Sequence, residues 1–344
     1  MHIPDGYLSP ETYATFGAGM VPVWLTAGRR VRKVVKSRSV PLLALGSAYC
    51  FLVMMFNVPI PDGTTAHAVG AVLVAVLLGP WAAVVAVSTA LLIQALFFGD
   101  GGVLAFGANC FNMAFVMPMV GYGAYRLVAR RSSLTGARRA VAAGVGGYVG
   151  VNAAAFCAAI ELGVQPDLFK DGHGAPLYAP FHVAQTVPAI VGAHLLVGGV
   201  VEAVLTVGVI RYLQRANVPV LQLNHPTVPL DRDDLARSRL VTWRWAWIGL
   251  AALAVLTPLG LLAPGSAFGE DAPPTGLWHH ALLNGYDFAG DAHPSVGYVL
   301  SALFGALLIV AVVLALFGRA RWRASRRDVS EEPSTSEDAS VVRV

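Results

Sequence analysis

The sequence predicts an all-α membrane protein with about nine transmembrane helices, the N-terminus outside and the C-terminus cytoplasmic. Three observations carry that reading. Hydrophobic residues make up 56% of the 344 and charged residues only 13%, roughly half the charged share of an ordinary soluble domain. The apolar residues are gathered in long runs of the length that crosses a bilayer. The basic residues sit in a few clusters between those runs.

The runs lie at approximately 12–27, 40–57, 66–79, 81–98, 103–125, 140–161, 182–210, 243–264 and 296–317. In lipid only helices and closed barrels satisfy the backbone. These runs are too long for barrel strands and lack strict alternation, so they read as helices. The third is short, fitting a tilted or a re-entrant segment.

The charges orient the chain. Of the 24 Lys and Arg, six lie between Arg29 and Arg38, five between Arg126 and Arg139, six between Arg211 and Arg244, and five between Arg319 and Arg327. With nine spans all four clusters fall on one side, and Lys/Arg-rich loops stay in the cytoplasm. The chain is therefore placed in the cell (inner) membrane as a multi-pass protein. Asp5, Asp62, Asp100, Glu161, Asp167, Asp171, Glu270, Asp271, Asp287 and Asp291 map outside, an acidic face that concentrates cations.

Four regions follow. Residues 1–212 hold seven spans, 213–239 form a Pro-punctuated cytoplasmic linker, 240–327 hold two spans around an external loop, and 328–344 form an acidic, Ser-rich tail expected to be disordered. Cys50, Cys110 and Cys157 all fall in apolar runs without a CxxC pair, so neither a disulfide framework nor a zinc knuckle is indicated. No basic n-region or h-region opens the chain, so Met1 is expected to be kept, the more so because His2 is too large for methionine removal.

That start carries chemistry. The α-amine of Met1, the amide nitrogen of His2 and Nδ1 of its imidazole can close fused five- and six-membered chelate rings around a metal. A fourth nitrogen would complete a square, which suits Ni(II) or Cu(II), with pH-dependent binding because the amide must lose a proton. Pro4 fixes φ, and Asp5-Gly6 can turn the terminus back onto the bundle. His67, at the outer start of the third run after a Pro- and Gly-rich re-entry, is the candidate fourth donor.

At this point a family resemblance enters. Met1-His2-Ile3-Pro4-Asp5-Gly6 resembles the signature of the CbiM/NikM family, the nickel/cobalt substrate-binding membrane components of energy-coupling-factor transporters. Val58 to His67 resembles the family's second metal segment, with Asp62 where the family usually has Gly. Gln94 to Gly102, Gly107 to Met113, and Ala193-His194-Leu195 with Gly198 and Glu202 resemble further family stretches. The likeness spans about residues 1–210. It implies Ni2+ or Co2+ as transported substrate, bound through Met1, His2 and His67. It also implies a transmembrane coupling protein and cytoplasmic ATPase subunits as partners. Residues 240–317 resemble the two-span CbiN/NikN accessory component, carried by Leu256 to Leu262 and Gly297 to Ser301. The accessory's Pro-Asp-Gly-Leu-Glu string is absent, Ala267 to Asp271 standing in its neighbourhood.

Other polar groups invite roles. Asn109 and Asn112 can orient His67 or the N-terminal segment by hydrogen bonds, and Thr64 and Thr65 stand beside the donor. Glu202 lies mid-span, where charge is costly, with His194 two turns earlier, and the two read as a buried polar pair. His279, His280 and His293 form a candidate metal-collecting patch, against an ordinary solvated loop, and His173 and His182 are weighed in the same way. Ala44-xxx-Ala48 and Gly146-xxx-Gly150 permit close helix contact, within the fold or with a coupling protein. The chain has no GxxxxGKS/T phosphate loop, HExxH or GxSxG. A transporter subunit rather than an enzyme is expected, with ATP hydrolysis left to partners and no nucleic-acid ligand. The alternative is a standalone divalent-metal channel or secondary carrier.

Overall fold

The computed structural model describes residues 1–34, 39–60, 65–229, 244–262, 281–288 and 293–330. Thr64, His279, His280, and residues 267 to 271 lie outside them. Helix α1 is Pro10–Val34, α2 Val40–Met54, α3 Ala71–Leu78, and α4 Pro80–Ile93 running into a π turn at Gln94–Phe98. Next come α5 Phe106–Asn109, a π segment Cys110–Val116, α6 Met117–Ala129, α7 Ala137–Gly163, and α8 Gln165–Leu168. Then follow α9 Val183–Ala193, a π turn His194–Gly198, α10 Gly199–Ala216, and α11 Val218–Gln222. The C-terminal part supplies α12 Arg244–Leu256, 3-10 turns Thr257–Leu262 and Asn284–Tyr286, and α13 Pro294–Ser330. Each apolar run contains a helix.

The protein is mostly helical and integral to the membrane. Among the described residues four stretches are long and apolar enough to cross it: Pro80–Phe98, Ala137–Leu168, Val183–Ala216 and Pro294–Phe317. Val40–Met54 and Trp247–Leu261 are shorter apolar helices. Leu25, Leu127, Val141, Leu196 and Val204 stand exposed along the helices, an apolar coat that suits lipid.

Small residues let α6 and α7 meet backbone to backbone. A Cβ added at Gly121 would lie 2.6 Å from the Gly146 carbonyl, and one at Gly150 would lie 2.7 Å from that of Met117. The Gly146-xxx-Gly150 pattern is thus consumed inside the fold, as is Ala44-xxx-Ala48, whose residues are buried. The C-terminal part packs on α2: α13 lies along it, Tyr298 donates to the Met55 carbonyl at 2.9 Å, and a Cβ at Gly260 would lie 2.9 Å from the same oxygen.

The third run is a broken helix. Val58–Pro59 (β1) pairs antiparallel with Thr65–Ala66 (β2). The chain then runs without regular structure from His67 to Gly70, whose φ of 77° turns it into α3. Eight helical residues rise only about 12 Å, so α3 alone falls well short of a full crossing. The far end of α3 is held by Asn224, which donates to the carbonyls of Ala75 and Val76 at 3.1 and 3.3 Å. The linker is therefore structured up to its last described residue before 230, with α11 and Asn224 packed beneath the bundle. His225 Nε2 lies 3.0 Å from the Tyr125 hydroxyl.

Candidate metal centre

The first nine residues form a plug rather than a tail. Met1, Ile3, Leu8 and Ser9 are fully buried. Asn109 grips Ile3 with both ends of its amide, accepting from the Ile3 N–H at 2.8 Å and donating to its carbonyl at 3.0 Å. Gly102 N–H donates to the same carbonyl at 2.9 Å. The Asp5 carboxylate accepts from the N–H groups of Val103, Leu104 and Ala105 at 3.2, 2.9 and 3.1 Å. Gly6, at φ 89°, then turns the chain, and the Tyr13 hydroxyl accepts from its N–H at 2.8 Å. Gln165 accepts from Ser9 N–H at 2.9 Å as α1 begins.

This plug brings the three sequence-predicted donors together. The Met1 amine donates to the Thr65 carbonyl and, at 3.1 Å, to its hydroxyl. The His2 and His67 rings stack with centroids 4.7 Å apart and planes at 29°. His67 Nδ1 donates to the Ala68 carbonyl at 3.0 Å. Its buried Nε2 has no hydrogen-bond partner among the described residues, the tautomer a metal-binding histidine needs. Burial, opposed by the Asp100 carboxylate, holds the Met1 amine down from 8.0 to about 4, so its lone pair is free at neutral pH.

The sequence reading missed Asp100 as part of the site. Its Oδ1 lies 2.8 Å from His2 Nδ1, the atom expected to close the six-membered chelate ring. Its Oδ2 accepts from Tyr286 at 2.5 Å, and Gln94 donates to the Tyr286 oxygen at 2.8 Å. Burial raises the Asp100 carboxyl, but His2 and the Tyr286 hydroxyl outweigh it and hold it below 3.8. Tyr286 belongs to the C-terminal part, so that part reaches, through Asp100, the residue next to the N-terminus.

Two expectations need correction. Asn112 does not orient the donors: it donates to Glu161 Oε2 at 2.9 Å. His194 and Glu202 do not pair. His194 Nδ1 donates to the Ile190 carbonyl at 2.7 Å, using an acceptor of its own helix, while Glu202 Oε2 accepts from Val69 and Gly70 N–H at 2.8 and 2.9 Å. His182, at the start of α9, faces Asp167 at 3.1 Å. Among the described residues no three His, Cys, Asp or Glu side chains are grouped to hold a metal ion. A metal here would need donors besides those side chains, and the Met1 amine stands beside the two rings.

Residues 2–220 match the family described as the cobalt uptake substrate-specific transmembrane region. The chain belongs to that family. Family relatives span its length. The fused nickel transport protein NikMN of Rhodobacter capsulatus is 46% identical over 342 residues, covering 90% of this chain and 95% of its own. The probable fused nickel transport protein LarMN of Lactiplantibacillus plantarum is 43% identical, covering 92% and 97%. A crystal structure of a truncated transition metal transporter matches with a TM-score of 0.60 and 55% identity, covering 62% of this chain and 98% of that one.

Proposed function

We propose that the chain captures Ni2+ or Co2+ on the outer side of the cell membrane and delivers it inward as the substrate-specific subunit of an energy-coupling-factor importer. The ion is held by the Met1 amine, the His2 amide nitrogen and Nδ1, and His67 Nε2. The observation that carries this reading is the convergence of the Met1 amine on Thr65 with the His2–His67 stack at 4.7 Å. His2 Nδ1 exchanges Asp100 for the ion, and the released carboxylate stays beside it as a counter-charge. Four nitrogens in a plane favour nickel over cobalt.

In this reading nine segments cross the membrane with the N-terminus outside, the broken third one carrying His67 down into the bundle. A transmembrane coupling protein and cytoplasmic ATPases supply the energy, and residues 240–327 act as the accessory component. The test is metal content of the purified full chain. Wild type is expected to retain about one nickel per chain in a diamagnetic, yellow, square-planar form, and His67→Ala none. Nickel retained by His67→Ala would overturn the site. Uptake into liposomes by the chain alone, at the rate seen with coupling and ATPase subunits, would favour a standalone carrier instead.

A further inference from the structure

The break before α3 leaves two backbone N–H groups deep in the bundle, and Glu202 satisfies both with one oxygen. Its Oε2 takes Val69 and Gly70, as irregular backbone in a membrane requires. Its Oε1 is buried without a hydrogen-bond partner among the described residues. So are the hydroxyl of Thr206, one turn further along α10, and that of Tyr49 on α2. Glu202 is 1% and Thr206 0% exposed. A Cβ built on Gly147 would lie 3.2 Å from both Glu202 Cγ and Thr206 Oγ1, so the two side chains share one small space. A Cβ built on Gly70, whose N–H Glu202 holds, would clash with Cε1 of Tyr49, so the tyrosine ring packs on the same turn.

A cap alone would not need a carboxylate. A neutral side-chain oxygen accepts backbone N–H bonds too, whereas charge inside a span is costly and marks ion pathways. We propose that Glu202 Oε1, with the hydroxyls of Thr206 and Tyr49, forms a second, oxygen-lined station for the divalent cation on the inward side of His67. The proposal rests on the capture reading above. Its direction follows from α10: from Glu202 to Thr206 the helix runs toward Arg211 and Arg215, the basic and hence cytoplasmic end. Its chemistry follows from donor type. Nickel and cobalt prefer nitrogen to carboxylate and hydroxyl oxygen, so this site takes an ion only as it leaves the four nitrogens and yields it readily. The station is also tied to the donor, since the two amides it holds lie two and three residues after His67.

The test pairs binding with transport, using the full chain produced with coupling and ATPase subunits. Glu202→Gln keeps an oxygen to accept both N–H groups and removes the charge. Thr206→Val keeps the shape and removes the hydroxyl. For Glu202→Gln, nickel retention by purified protein is expected to stay within about twofold of wild type while radioactive nickel uptake by cells falls at least about tenfold. Thr206→Val is expected to slow uptake severalfold with retention unchanged. Wild-type uptake by Glu202→Gln would overturn the station. So would a parallel loss of retention and uptake, which would make Glu202 a support for His67 alone. Retention of nickel by His67→Ala would instead overturn the capture reading.

Discussion

Tyr286 donates its hydroxyl to Asp100 at 2.5 Å while Asp100 holds His2 at 2.8 Å, so a residue of the C-terminal part is two hydrogen bonds from the N-terminus. Removing that hydroxyl withdraws a bond to a charged acceptor, worth about 1.5–3 kcal/mol, part of which orients the carboxylate beside the ion. Tyr286→Phe is expected to weaken nickel binding about three- to tenfold in calorimetric titration, with the chain still folded. Unaltered affinity would reduce the contact to packing.

Asp100→Asn tests the counter-charge directly. A carboxylate beside a buried dication contributes far more than an amide of the same shape. Affinity is expected to fall at least about tenfold, and the loss should shrink little with added salt because the pair is buried. An increase in affinity would mean that Asp100 only competes for His2.

One residue added before Met1 converts the amine to an amide and pushes a side chain into a space where Met1 is already fully buried. Nickel retention is expected to vanish, measured by elemental mass spectrometry. A chain so extended that still holds one nickel would remove the amine from the site.

Asn109→Ala strips both of its hydrogen bonds to Ile3; the carbonyl keeps Gly102 N–H, but the buried Ile3 N–H is left unmatched at about 1–3 kcal/mol. The Ile3 amide is expected to exchange hydrogen at least about tenfold faster, with a parallel loss of nickel affinity. Protection equal to wild type would show that Asp5 and Gly102 hold the plug without it.

The linker should respond to acid. Burial, then Arg139 and Arg126, lower His225 from 6.5 to about 4, so the folded state keeps it neutral and the unfolded state binds its proton first. Its contribution is complete above pH 6.5 and is lost as pH falls from there toward 4. Proteolysis within residues 218–229 is expected to quicken over that window, and His225→Gln to flatten the response.

Much of this was legible in the sequence, for local reasons. Met1-His2 announces itself because a free amine, an amide and an imidazole are neighbours in the chain, and the two Pro and Gly63 before His67 mark a re-entry. The pairing of Asp100 with Tyr286 is not local: 186 positions separate them, and nothing in either segment's pattern demands the meeting. The third run counts as a span, tilted or re-entrant, because its apolar residues are continuous but few. The signal for its break was Gly70 and Gly79, both at positive φ, enclosing too few residues for a full crossing. His194 and Glu202 share a helical face at a spacing of eight, but that spacing says nothing about which neighbouring backbone each one meets.

The glycine contact between α6 and α7 has a mechanical consequence. With a carbonyl 2.6 Å from where any side chain would begin, the two helices touch backbone to backbone, and packing this close favours their moving together. Helix α7 alone is about 40 Å long. One end carries Arg138 and Arg139, and beyond the other Gln165 fastens Ser9. Helix α7 thus joins the basic end of the bundle to the anchor of the plug, with only the turn at Val164 between it and Gln165.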